Sequence, residues 1–178
     1  MFDNLKNFYE ELLYFGKFDY MQLKQVRKAI ENGLTKEWIE LIANPDNPEW
    51  VMEETVIAFK KGVSMEQAEV ALRPAEFDCD QQIELLWAFE YGLGMDQVLL
   101  FAKPEYDDEQ MAQLRIAFEH GLSMEQILLF AKPEFDSYQM HELREAFEHG
   151  LTDEQITFIT DSKLDWEQMY ELREAFVD

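Results

Sequence analysis

The chain has 178 residues, with 15 basic and 38 acidic side chains and a formal net charge of −23. Direct binding to nucleic acid rests on clustered Lys and Arg that release counterions from phosphates, so this excess of acid argues against it. With 47% hydrophobic and 14% aromatic residues the chain is too apolar for an acidic disordered tail, and its length suits one or two ordinary domains.

Residues 1–16 open the chain. The segment MFDNLKNFYEELLYF has no basic leader, and residues 3–14 read as a lone helix that caps the N-terminal end. No apolar run of 18 residues occurs anywhere, so no membrane span is expected. These features point to a soluble, cytosolic protein.

From residue 17 onward the chain repeats. Phe101–Leu129 and Phe130–Phe158 share 19 identities in 29 positions. Gly33, Gly62, Gly92, Gly121 and Gly150 mark one point in five successive units, and Phe59, Phe89, Phe118, Phe147 and Phe176 share another. Five repeats are expected, over 17–45, 46–74, 75–104, 105–133 and 134–162, followed by a half-repeat over 163–178 that closes the C-terminal end.

Each repeat reads as two helices. The first opens on a capping box, with Asp three residues before Gln: Asp19/Gln22, Asp78/Gln81, Asp107/Gln110, Asp136/Gln139 and Asp165/Gln168. The second repeat departs from this, with Pro48 in the Asp place. Met111, Leu114, Ala117 and Phe118 then recur at the spacing of a helix with one buried face, and the glycine supplies a left-handed C-cap. The second helix is short. It opens at Thr35, Ser64, Gly94, Ser123 or Thr152 and is stopped by Pro45, Pro74, Pro104 and Pro133 in the first four repeats. No segment carries a strand signal. One such hairpin cannot bury its own apolar face, whereas stacked copies share a core. The expected fold is all-α, a single right-handed α-solenoid of about twelve helices.

Motifs for catalysis are missing: no phosphate loop, HExxH, GxSxG, CxxC or calcium loop occurs. Cys79 is the lone cysteine and has Asp78 and Asp80 beside it, a setting that does not favour a thiolate. His120 and His149 precede their glycines and read as helix C-terminal partners, while His141 has no acid–base partner at a fixed spacing. Asp78 and Asp80 could together touch a divalent ion, but Asp78 is already the helix cap. The expectation is a protein without enzymatic activity, cofactor or metal.

The acid is unevenly placed. Residues 62–178 hold 7 basic and 27 acidic side chains, against 8 and 11 in residues 1–61. Glu37, Glu66, Asp96, Glu125 and Glu154 form a column in the first turn of each second helix, where the helix dipole favours negative charge. Arg27, Arg115 and Arg144 each face an acid at i+4 (Glu31, Glu119, Glu148), and Arg173 recurs at the same repeat position. The acids left uncompensated by this accounting are Glu84, Glu105, Asp108, Glu109, Glu134, Glu142, Glu145, Glu167, Glu171 and Glu174, which are the candidate partner-binding residues. If hairpins stack about 10 Å apart, the acidic part carries about one net charge per 2 Å, close to the roughly 1.7 Å of duplex DNA. Charge reversal at Glu142, Glu145, Glu171 and Glu174 is expected to weaken binding and leave the fold intact. Met65, Met95, Met124, Trp50, Trp87, Tyr138 and Trp166 are either gap-filling or contact residues.

The unit FDxxQMxxLRxAFExGLxxEQI resembles the short helical repeats written around YDxxQMxEIRxGLExGL, which occur in proteins of phages and mobile elements in Gram-positive gut bacteria. The likeness runs from Phe18 onward, and repeats 1 and 2 depart from it at Trp38, Pro48, Lys60 and Lys61. Small acidic phage proteins without catalytic motifs are similar in kind to DNA-mimicking anti-CRISPR and anti-restriction inhibitors. That likeness implies a partner with a cationic nucleic-acid channel, an RNA-guided DNA nuclease in a bacterial cytoplasm. The alternative is an α-solenoid adaptor whose acidity serves solubility alone.

Overall fold

In three of the repeats one glutamine, Gln22, Gln110 or Gln139, both closes a helix cap and ties that helix to the next repeat. A computed structural model describes residues 2–160 and 163–177, and among these it contains twelve α-helices and no strand. They divide between two compact units, Met1–Glu90 and Tyr91–Asp178. The first unit contains α1 (Phe2–Phe15), α2 (Tyr20–Glu31), α3 (Lys36–Ile42), α4 (Glu49–Lys61), α5 (Met65–Ala71) and α6 (Cys79–Glu90). The second contains α7 (Met95–Phe101), α8 (Asp108–Glu119), α9 (Met124–Phe130), α10 (Ser137–Glu148), α11 (Asp153–Ile159) and α12 (Trp166–Val177). The expected boundary between residues 162 and 163 lies outside the described residues.

The expected caps form. In all five boxes the Asp side chain accepts from the backbone N–H of the Gln, and the Gln side chain accepts from that of the Asp. Ser64, Ser123 and Thr152 build the same box on α5, α9 and α11. Pro48 starts α4 without a side-chain cap. Gly94 has no side chain to give, so only Gln97 contributes there, through a bond from the Gly94 N–H at 2.7 Å. At the end of α8, Gly121 adopts φ +86° and the Leu122 N–H turns back to the Ala117 carbonyl. A left-handed residue followed by that back-bond satisfies carbonyls the helix leaves open.

Packing follows the repeat within each unit. First helices stack on first helices, α2 on α4 and α4 on α6 in one unit, α8 on α10 and α10 on α12 in the other. The short helices fill in behind, α5 against α6 and α9 against both α8 and α10. Met111, Leu114 and Ala117 of α8 and Met140, Leu143 and Ala146 of α10 are fully buried. Phe101 and Phe130, which end α7 and α9, are also sealed, with their rings 6.5 Å from Phe118 and 6.0 Å from Phe147. Burial of such side chains contributes about 1.5–3 kcal/mol each.

The cap glutamines have a second task. Their side-chain oxygen closes the local box, while their nitrogen donates across to a backbone carbonyl before the next first helix. Gln22 reaches Asn47 at 2.7 Å, Gln110 reaches Phe135 at 2.5 Å, and Gln139 reaches Leu164 at 2.5 Å. A buried amide that satisfies two backbone groups at once fixes the register of adjacent hairpins.

Candidate interaction surface

The recurring arginines form the second link between repeats. In α8 and α10 they pair with the i+4 acid as the spacing predicts: Arg115 with Glu119 at 2.5 Å, and Arg144 with Glu148. Arg27 does the same with Glu31 at 2.8 Å. Two of the arginines also reach the preceding first helix. Arg144 Nε donates to Gln113 Oε1 at 3.3 Å, and Arg173 Nε donates to Glu142 Oε2 at 2.9 Å, both across 31 residues. In the first unit lysines bridge neighbouring helices instead, Lys28 to Glu53 at 2.7 Å and Lys61 to Glu90 at 2.6 Å. The hydrogen bond from Lys28 is the main reason the Glu53 carboxyl sits below its ordinary pKa.

This ladder corrects the list of uncompensated acids. Glu142 is buried and bonded to Arg173. Glu174 pairs with the same guanidinium at 2.8 Å, and Glu145 pairs with Arg144 at 2.9 Å. Glu84 is buried and, like Asp108, already interacts. Glu109 is exposed and accepts from the Ser137 hydroxyl at 2.9 Å. Glu105, Glu134, Glu167 and Glu171 remain exposed without a basic partner among the described residues. Charge reversal at Glu142 would put an ammonium beside Arg173, so a set that includes it does not spare the fold. Sequence spacing hid this because the pairs join residues 31 apart, which are adjacent only once two hairpins stack. The signal was present all the same, since an Arg and a Gln or Glu recur at that offset.

Glu105 and Glu134 occupy the same point of consecutive linkers and flank Tyr106. The Tyr106 pKa is raised, first by burial and then by these two carboxylates. Its hydroxyl donates to the Ala131 carbonyl at 2.7 Å. Two of the five first-turn acids of the short helices, Glu125 and Glu37, hydrogen-bond at the helix start. Hydrogen bonds to its own backbone N–H and to Ser123 hold the Glu125 carboxyl below its ordinary pKa, and Thr35 does the same for Glu37.

The histidines sit in the arginine ladder. His149 Nδ1 lies 2.8 Å from the Glu145 carbonyl at the end of α10, in the place expected of a helix C-terminal partner. His120 instead contacts Glu148 at 2.9 Å, across to α10. His141 Nδ1 lies 2.8 Å from Arg144 Nη2. Burial pushes the Glu148 carboxyl up, but hydrogen bonds from Arg144 and His120 outweigh it and hold the group below its ordinary pKa. The Cys79 thiol is pushed up by burial and then by Asp78 and Asp80, which disfavours the thiolate. Asp78 caps α6, accepting from both the Asp80 and Gln81 N–H groups. No cluster of three His, Cys, Asp or Glu side chains suited to a metal ion occurs among the described residues, and no described helix is long and apolar enough to cross a membrane.

The aromatic candidates divide. Trp87 is half-buried, whereas Trp50, Tyr138 and Trp166 are exposed. The Tyr138 and Trp166 rings lie 5.9 Å apart across α10 and α12. Arg173 stands 5.2 Å over the exposed Tyr170 ring. Met65, Met95 and Met124 are half-buried on the short helices.

No known protein family, curated protein or solved structure matches the chain.

Proposed function

We propose that this protein is a non-enzymatic, anti-CRISPR-like inhibitor. Its exposed carboxylates occupy the cationic nucleic-acid channel of a bacterial defence protein, an RNA-guided DNA nuclease by class, and so block DNA binding. The observation that carries this reading is the set Glu105, Glu134, Glu167 and Glu171, exposed and without a basic partner. Residues 91–178, to which the set belongs, carry 6 basic and 20 acidic side chains. Channels that track a sugar–phosphate backbone are lined with Lys and Arg. Exposed carboxylates on a folded helical scaffold compete for those side chains by paired, charge-assisted hydrogen bonds, and long-range attraction speeds the encounter.

The test is competition. Binding to a guide-loaded nuclease should weaken steeply as salt rises, and preloading the nuclease with target DNA should abolish it. Glu105→Lys, Glu134→Lys and Glu167→Lys together should cost at least about tenfold in affinity while the thermal melt stays in place. Salt-insensitive binding that DNA does not displace would defeat the mimic. It would favour an adaptor instead, for which the exposed Tyr138–Trp166 pair is the specific evidence.

A further inference from the structure

The contacts of α8 with α10 and of α10 with α12 follow one template. The cap glutamine of the earlier helix, Gln110 or Gln139, donates to a linker carbonyl of the later repeat. Three residues on, Gln113 or Glu142 accepts from the later arginine, Arg144 or Arg173. The same positions recur on α12 as Gln168 and Glu171. There they are exposed, whereas Gln139 and Glu142 are 7% and 5% accessible. Leu164 and Leu172 are half-buried where Phe135 and Leu143 are sealed. With Trp166 and Tyr170 these four line an open groove of about 780 Å³. At these four positions the α12 face is thus more open than the α10 face, fully at Gln168 and Glu171 and partly at Leu164 and Leu172.

At α2 the comparison runs the other way. Arg27 holds the place of Arg144 and Arg173, yet its side chain is 69% accessible against 6% and 9% for those two. Leu23 is half-buried where Met140 and Met169 are sealed. The helix is also basic, with Lys24, Arg27 and Lys28 against Glu31, in an otherwise acidic protein. One face thus presents the acceptor half of the template and the other presents the arginine half.

We infer that the α2 face of one copy docks on the α12 face of a second copy. Arg27 takes Glu171 as Arg173 takes Glu142, and Gln168 donates to the Phe18 carbonyl as Gln139 donates to that of Leu164. Leu23 covers the Leu164–Leu172 groove, and α1, which packs on α2, stays in place. The two faces differ, so the contact is heterologous and assembly grows with concentration rather than stopping at a symmetric pair. A single helix-on-helix contact falls at the small end of interfaces, and the association is correspondingly weak. The overall negative charge opposes it at low ionic strength, but at about 0.15 M salt repulsion beyond about 8 Å is screened while the local Arg–Glu complement persists. This assembly goes beyond the inhibitor reading and does not depend on it.

Sedimentation velocity and light scattering decide the matter, run at physiological salt from about 10 μM to about 1 mM, where a small contact associates. The mean mass of the unmodified protein should rise across that range. Arg27→Glu alone and Glu171→Arg alone should each weaken association by about tenfold or more. An equimolar mixture of the two variants should restore it, because each then supplies the complement the other lost. Both residues are exposed, and unchanged thermal melts would show that neither substitution acts through the fold. A monomeric mass throughout, or association indifferent to both substitutions and to their mixing, overturns the inference.

Discussion

Arg173 on α12 donates from Nε to Glu142 on α10 at 2.9 Å, and each side chain is less than a tenth accessible. The pair joins two repeats across 31 residues of sequence. Burial makes the two groups mutually dependent, since either charge left without its partner would carry an uncompensated desolvation cost. Burial lowers the Arg173 pKa, but the hydrogen bond to Glu142 and the charges of Glu142, Glu174 and Glu145 together outweigh it and raise the value.

Truncating one partner should therefore cost more than its surface counterparts. Glu142→Ala removes the buried carboxylate and leaves Arg173 with the half-exposed Glu174 as its hydrogen-bonded acid, and we expect a loss of about 2–3 kcal/mol in urea unfolding. Glu142→Gln should cost less, about 1 kcal/mol, because Gln113 already serves beneath Arg144 in the preceding repeat. Equal losses for the two variants would show that the charge, rather than the hydrogen bond, holds the link.

Acid should loosen the same ladder. The Glu148 carboxyl has a lower pKa folded than unfolded, so the unfolded chain binds more protons as pH falls. Its stabilisation is complete above the unfolded value of about 4.3 and is lost as pH drops through the folded value. Glu53 adds in the same direction. Thermal melts between about pH 7 and pH 3 should show a steep fall in Tm below about pH 4.5. The deficit of Glu148→Gln should shrink over that window, and a constant deficit would remove Glu148 from the effect.

Two glycines should respond with opposite sign. At Gly121 a Cβ would meet nothing within 4 Å, so Gly121→Ala measures the left-handed backbone alone. We expect it to destabilise by about 1–2 kcal/mol. Gly94 has an ordinary φ of −74° and stands where other short helices carry Ser or Thr. Gly94→Ser should stabilise by a few tenths of a kcal/mol by completing the box with Gln97. Guanidinium titrations of both variants would check the contrast.

Most of the local structure was legible from residue order. The Asp/Gln boxes, the glycine stops and the caps of Ser64, Ser123 and Thr152 depend on groups within about five residues and formed as their spacing predicts, whereas Thr35, with Trp38 in place of the Gln, makes no side-chain cap bond. The i+4 arginine pairs were legible for the same reason. The second bonds of Gln110 and Gln139 were not, and those of Arg144 and Arg173 showed only as a recurrence 31 residues apart that spacing along one helix does not reveal. Each of these side chains satisfies one neighbour in sequence, and nothing in that neighbour shows that donors remain for another helix.

The sequence by itself determined the helices and their period, because capping and helical amphipathicity are short-range. Which carboxylates stay on the surface was decided only by tertiary structure. Glu142 and Glu171 occupy the same place in their repeats, with identical ELRE surroundings. One is sealed under an arginine and the other is exposed, because burial and ion pairing are set by the helix that packs above, and α12 packs above only the first of them.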